Sequence, residues 1–332
     1  MRRSAIKMLL CLWVGLSVAY PLDSPANQDA KEILKAIVKI RSLIPKEAHS
    51  AQTLGTEREG SGVVIDTKGH ILTIGYLIIE AESIEVTPKE GKPVRARFVG
   101  FDHASGLGLL KTESPLEVRP IKLGQSSKVK EGEPVIMAAF GDEEAVQAVG
   151  VISRKEFTGY WEYILEEALY TAPAFANYGG AALIDRNGEL VGIGSLLSQV
   201  VIPGLGTISC NISVPIDLLP PILNDLMTKG RPQKAPRPWL GIFAEEAQGR
   251  VFITRVAPGG PAEKGGLKAG DLILTVKGRE VNGLNDFYRK VWALGEAGVE
   301  VPLSILRGIQ IQEIKIRSSS RYQFLHRPEK VL

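Results

Sequence analysis

The chain has 332 residues, 44% hydrophobic and 23% charged, which is enough apolar material for two packed domains and argues against disorder. Lys and Arg number 40 against 37 acids, and loss of Arg2, Arg3 and Lys7 with a leader brings the basic count to 37 as well, a balance that argues against nucleic acid as a partner. Only two cysteines occur, Cys11 in that leader and Cys210, so no intramolecular disulfide framework is expected and stability must come from packing.

The N-terminus reads Met1-Arg2-Arg3, then Lys7, an uncharged run from Met8 to Val18, and the small residues Ser17-Val18-Ala19. This pattern predicts a signal peptide over 1–19, cleaved after Ala19, and a periplasmic or secreted protein. The apolar run falls short of the roughly 20 residues that span a bilayer, so no integral membrane segment is expected after cleavage. Leu10 stands where a lipid-attachment motif needs a small residue, which disfavours anchoring through Cys11.

A short helix is predicted over Asp29–Leu34. Short β-branched segments follow, separated by glycine or polar turns: Ser61–Ile65, His70–Thr73, Ser83–Val86, Val94–Phe98, Leu107–Lys111, Pro134–Ala139, Val149–Ser153, Ala181–Ile184 and Leu190–Gly194. Many short strands at this spacing suggest barrels or a sandwich. The uncharged stretch Leu190–Ile208 is too rich in Gly and Pro for a membrane helix and reads as two strands turned at Pro203-Gly204. Pro215–Met227 has helical spacing, with Pro215 tolerable in a first turn. Residues 229–238, rich in proline and basic charge, are predicted to be an extended linker. Beyond it, strands resume over Trp239–Arg317 with one helical pattern, Leu284–Leu294, on which Phe287, Val291 and Leu294 share a face. The tail 318–332 is polar and expected to be loosely held.

Three motifs occur in a telling order: Gly60-Ser61-Gly62-Val63-Val64-Ile65-Asp66; Gly69-His70-Ile71-Leu72-Thr73; and Gly179-Gly180 followed by Ala182-Leu183-Ile184-Asp185 and Gly188-Glu189-Leu190-Val191-Gly192-Ile193. Later come Trp239-Leu240-Gly241-Ile242, Pro258-Gly259-Gly260-Pro261-Ala262 and Leu267-Lys268-Ala269-Gly270-Asp271-Leu272-Ile273. Over residues 36–317 the chain resembles the HtrA/Deg family of serine proteases. The resemblance implies a mostly β protein, a trypsin-like double β-barrel over 20–228 followed, after the linker, by a PDZ domain over 239–317.

That family carries a His-Asp-Ser triad, in which an imidazole takes the proton of an attacking hydroxyl and a carboxylate orients the imidazole. The resemblance places Tyr76 at the histidine, Gly106 at the aspartate and Tyr178 at the serine, with Ala176 at an oxyanion-hole glycine. A phenol with a pKa near 10 is a poor base at neutral pH, and glycine orients nothing. The expectation is a protease homologue that is not an enzyme, with the two tyrosines facing each other across the cleft. The alternative is an endopeptidase with relocated residues, for which Asp102, His103 and Ser105 are the nearest candidates. The histidines are His49, His70, His103 and His326, and with one mature cysteine they give no zinc spacing. No metal and no cofactor are expected.

In PDZ domains successive backbone N–H groups cradle a C-terminal carboxylate while the ligand adds as a strand. The resemblance gives that role to Trp239, Leu240, Gly241 and Ile242, with Phe287 and Val291 on the helix facing the groove. Expected partners are proteins or peptides with free apolar C-termini or unfolded segments. The resemblance also implies a homotrimer or association with active HtrA paralogues, with Tyr20 a candidate contact. The chain's own Lys330-Val331-Leu332 is a weak candidate ligand for a neighbouring copy.

Overall fold

The computed structural model describes residues 25–325 apart from Pro203 and Leu205. The leader, Tyr20, His326 and Lys330-Val331-Leu332 lie outside the described residues. Helix α1 (Pro25–Lys35) precedes a closed barrel of β1 (Ile37–Leu43), β2 (Glu57–Val64), β3 (His70–Ile74), β4 (Ser83–Thr87), β5 (Val94–Phe101) and β6 (Leu107–Thr112), with the one-turn α2 (Ala51–Leu54) between β1 and β2. Its strand order is β1-β2-β3-β6-β5-β4.

A second closed barrel follows: β7 (Pro134–Ala138), β8 (Val146–Gly159), β9 (Tyr163–Ala172), β10 (Ala182–Ile184), β11 (Leu190–Ile202) and β12 (Gly206–Pro215), ordered β10-β11-β12-β9-β8-β7. Closure leaves no unpaired edge within the closed circuit. β8 and β9 run on as a long hairpin, Gly159 pairing with Tyr163 across three residues. The predicted segment Val149–Ser153 covers only part of β8, and β9 has no counterpart in the sequence reading. Exposed Glu166 and Glu167 interrupt its apolar alternation.

The helix expected from Pro215 begins later: Pro215 closes β12, Ile216–Leu218 form a 3-10 turn, and α3 (Pro220–Lys229) starts on two prolines that fit a first turn. The stretch 229–238 is held rather than freely extended. The Gln233 N–H donates to Asp225, the Ala297 N–H donates to the Pro236 carbonyl, and the Arg237 guanidinium sits 4.3 Å from the Trp292 ring centre.

The last sheet contains β13 (Ile242–Ala247), β14 (Arg250–Val256), β15 (Leu272–Val276), β16 (Arg279–Glu280), β17 (Glu300–Arg307) and β18 (Gln310–Arg317), with α4 (Pro261–Lys264) and α5 (Leu284–Trp292). Phe287, Tyr288 and Val291 of α5 are fully buried with Leu240, Ile242, Ile253 and Ile305. The tail is not loose up to Leu325. Ser319 and Trp239 exchange two 3.0 Å backbone hydrogen bonds, and α6 (Arg321–Phe324) stacks Phe324 on His49 at 4.0 Å and against Trp239 at 4.5 Å. Apolar contact outweighs the polar composition that suggested a free end.

Candidate functional site

β3 ends in a 3-10 turn, Gly75–Leu77, that carries Tyr76 to the junction of the barrels. Buried Arg58 fixes this turn by donating to the Tyr76 carbonyl at 2.8 Å and the Ile79 carbonyl at 3.0 Å. The Tyr76 phenol donates to the Ser195 carbonyl of β11 at 2.9 Å. Burial raises its pKa, with the nearby Tyr178 adding in the same direction, so it stays protonated at neutral pH.

Gly106 directly precedes β6 with φ +81°, a left-handed backbone that L side chains adopt at a cost of about 1–2 kcal/mol. Its carbonyl accepts from the Gly75 N–H at 2.7 Å, which ties the two positions together. On the opposite barrel, Asn211 clamps the turn before Tyr178 by accepting from the Phe175 N–H at 2.7 Å and donating to its carbonyl at 3.0 Å. Ala176 is not among the positive-φ residues; Gly180 is, at φ +75°. The backbone shape that only glycine adopts cheaply therefore falls at 180.

Tyr76, Gly106 and Tyr178 line one cavity of about 380 Å³ together with His49, His103 and Phe324. The sequence reading missed His49, whose ring stacks on Phe324. His103 lies edge-on to Phe101 at 4.6 Å and against Tyr322 at 4.2 Å. Its neighbours serve a turn: Asp102 accepts from the Ala104 and Ser105 N–H groups, and the Ser105 hydroxyl accepts from the Leu107 N–H. His70 is bonded to Asp66 at 2.6 Å and sits at the start of β3, roughly 13 Å at 3.3 Å per residue from Ile74, where the strand ends and the turn carrying Tyr76 begins. Among the described residues no group of three or more His, Cys, Asp or Glu is placed to hold a metal ion.

The second constellation lies where the barrels meet the last sheet. The N–H groups of Leu240, Gly241 and Ile242 converge on one carboxylate, that of Glu162 at the tip of the β8–β9 hairpin, at 2.9, 2.7 and 3.0 Å. Gly241 makes this possible with φ +78°. The Ala244 N–H of β13 donates to the Tyr160 carbonyl at 2.8 Å, and Ile164 is buried in the cluster around Phe287 and Val291. Arg289 of α5 reaches Glu156 at 2.5 Å and Glu166 at 2.7 Å, pinning both strands of the hairpin.

Burial drives the Glu162 carboxyl pKa up, and the three N–H bonds and the Arg321 charge hold the rise to about 7. No sequence motif pointed to Glu162. The available signal was an acidic residue, preceded by Tyr160 and Trp161, in a turn between two strands.

Residues 60–193 match the trypsin-like peptidase domain family, and residues 238–317 match the PDZ domain family. The chain is 30% identical over 275 residues to the probable periplasmic serine protease do/HhoA-like of Haemophilus influenzae, covering 78% of this chain and 57% of that protein. It is 28% identical over 274 residues to the periplasmic pH-dependent serine endoprotease DegQ of Escherichia coli, covering 77% and 58%. The chain thus spans a little under three fifths of the length of these curated relatives. The solved HtrA-type protease AlgW with decapeptide gives a TM-score of 0.52 at 21% identity, over 88% of this chain and 97% of that one. The serine endoprotease from Yersinia pestis gives 0.52 at 24%, over 90% and 98%. At these identities the structural likeness speaks to the fold alone.

Two barrels with a cleft at their junction and a carboxylate-cradling loop on a following sheet define a trypsin-like peptidase domain joined to a PDZ domain. The chain thus carries a trypsin-like peptidase domain and a PDZ domain, and its relatives are named HhoA-like, DegQ and DegP-like serine proteases. The expectation that it is not an enzyme is corrected here: its relatives are named serine proteases and endoproteases, and its structural neighbours are HtrA-type proteases. The relatives are named periplasmic, and no described helix is long and apolar enough to cross a membrane.

Proposed function

We propose that the protein is exported to the periplasm and binds polypeptides with free apolar C-termini, or unfolded segments, through its PDZ domain, acting as adaptor, chaperone or regulator in protein quality control. The proposed binding residues are Trp239, Leu240, Gly241 and Ile242 of the loop, with Phe287 and Val291 of α5. The proposed domain bounds are 20–228, 239–317 and a linker over 229–238, after a signal peptide over 1–19. The observation that carries the reading is the convergence of three adjacent backbone N–H groups on a single carboxylate beside an apolar cluster. AlgW, similar in fold, is solved with a decapeptide. Fluorescence polarisation with peptides ending in an aliphatic residue tests it: binding requires the free carboxylate, and equal binding of the C-terminal amide overturns it.

A second reading, favoured by the names of the relatives, is a serine-type endopeptidase whose attacking groups lie outside positions 76, 106 and 178. Cleavage of unfolded casein that is lost in His103→Ala and kept in Tyr178→Ala supports it, and no cleavage by the wild type removes it. A homotrimer or a mixed assembly with HtrA paralogues is part of the proposal, tested by analytical ultracentrifugation alone and with a paralogue.

A further inference from the structure

The geometry points to a PDZ groove closed by the chain's own β8–β9 hairpin, with Glu162 in the place of a ligand's C-terminal carboxylate, so that an external C-terminus binds only after the hairpin tip has left. This rests on the peptide-binding reading of the PDZ domain. Four features of a bound peptide are reproduced by the hairpin tip. A carboxylate takes the three loop N–H groups; a backbone carbonyl, that of Tyr160 two residues earlier, accepts from the Ala244 N–H of β13; an aliphatic side chain, Ile164, enters the cluster around Phe287 and Val291; and charged pairs to Arg289 fix the segment along the helix.

The turn itself carries a further sign. Glu162 has φ +58°, a conformation in which glycine costs least, at a three-residue hairpin turn. Strain of this kind persists where surrounding contacts over-determine it, and here the carboxylate is what the contacts hold. The occupant also describes the ligand that displaces it. That ligand is a polypeptide with a free C-terminus, an aliphatic side chain for the site of Ile164, and an extended backbone with a large side chain where Tyr160 packs 6.1 Å from the Phe243 ring.

The test uses the full chain and a labelled decapeptide ending in Tyr-Trp-Ile, with a free carboxylate or a C-terminal amide. Where fewer than about one molecule in ten has an open groove, freeing it tightens apparent binding at least about tenfold. Glu162→Ala is expected to bind the carboxylate peptide at least that much more tightly than the wild type. Arg289→Ala, at a more exposed position, serves where the first variant fails to fold and is expected to tighten binding roughly two- to fivefold. Hydrogen exchange at the Leu240, Gly241 and Ile242 amides is expected to be slow in the wild type and faster in both variants. Unchanged exchange in Glu162→Ala, or equal peptide affinity in wild type and variant, overturns the closure. Faster exchange with no peptide binding in any variant supports the closure and removes the peptide-capture reading instead.

Discussion

Gly180→Ala should be among the costliest single-methyl additions in the barrel pair. Gly180 has φ +75°, and a Cβ there would overlap the Ser61 carbonyl oxygen of β2 and lie 2.7 Å from Thr73 Oγ1. The left-handed backbone alone costs an L side chain about 1–2 kcal/mol. Relief of the clash must move β2 or the turn, which strains three bonds: Ser61 N–H to the Gly179 carbonyl at 2.8 Å, Gly180 N–H to the Gly194 carbonyl at 2.9 Å, and Thr73 hydroxyl to the Ser61 carbonyl at 2.7 Å. At about 1 kcal/mol net each, added to the backbone cost, the expected loss is about 4–5 kcal/mol. Gly132→Ala is the control, since φ is +82° with nothing within 4 Å of the added methyl, and it should lose only about 1–2 kcal/mol. Urea unfolding followed by circular dichroism reads both as midpoint shifts at constant slope. A loss below about 1 kcal/mol for Gly180→Ala, or parity with Gly132→Ala, refutes the clash argument.

Arg58→Met removes donors from the carbonyls of Gly55, Tyr76 and Ile79 and from the Ser50 hydroxyl, leaving buried acceptors without their charged partner. A loss of at least about 3 kcal/mol is expected in urea unfolding, and an unchanged midpoint contradicts it. Phe287→Ala opens a cavity in the PDZ core and should cost about 3–5 kcal/mol, read from the unfolding of that domain. Peptide affinity should depend on pH through Glu162, whose carboxylate faces Arg321 of α6 and the Tyr288 phenol of α5. With its docked pKa raised from 4.5 to about 7, docking is fully favoured below the undocked value and weakens as pH rises to 7. At about 1.4 kcal/mol per pH unit, this removes on the order of 3 kcal/mol across the window. Apparent affinity for the carboxylate peptide should therefore rise from pH 5 to 7 and level off above, while Glu162→Gln gives a flat profile. A flat wild-type profile sinks the linkage.

The barrels were legible because strands such as β3 and β6 are buried along nearly their whole length, so apolar runs such as Ile71-Leu72-Thr73 and Leu107–Lys111 mark them without further help. The loop Trp239-Leu240-Gly241-Ile242 was legible for a different reason: backbone donors need glycine at a fixed place. Hydrogen bonding across 78 residues leaves no such mark, and Glu162 reads in sequence as any solvated turn residue. β9 was hidden by Glu166-Glu167, two adjacent exposed acids that break the strand's period and find their partners, Arg289 and Arg154, on other elements. The tail misled in the same way, because Phe324 finds its partners, His49 and Trp239, in two other parts of the molecule.

Trp239 and Ser319 face each other as a doubly bonded pair, so the chain enters and leaves the PDZ unit about 5.5 Å apart. Such a unit is a cassette with one doorway. It can be excised or grafted as a single piece without stretching the barrels, and any swing it makes has a single pivot. Because α6 starts only two residues beyond that doorway, turning the cassette also pulls on the aromatic cover resting against His49.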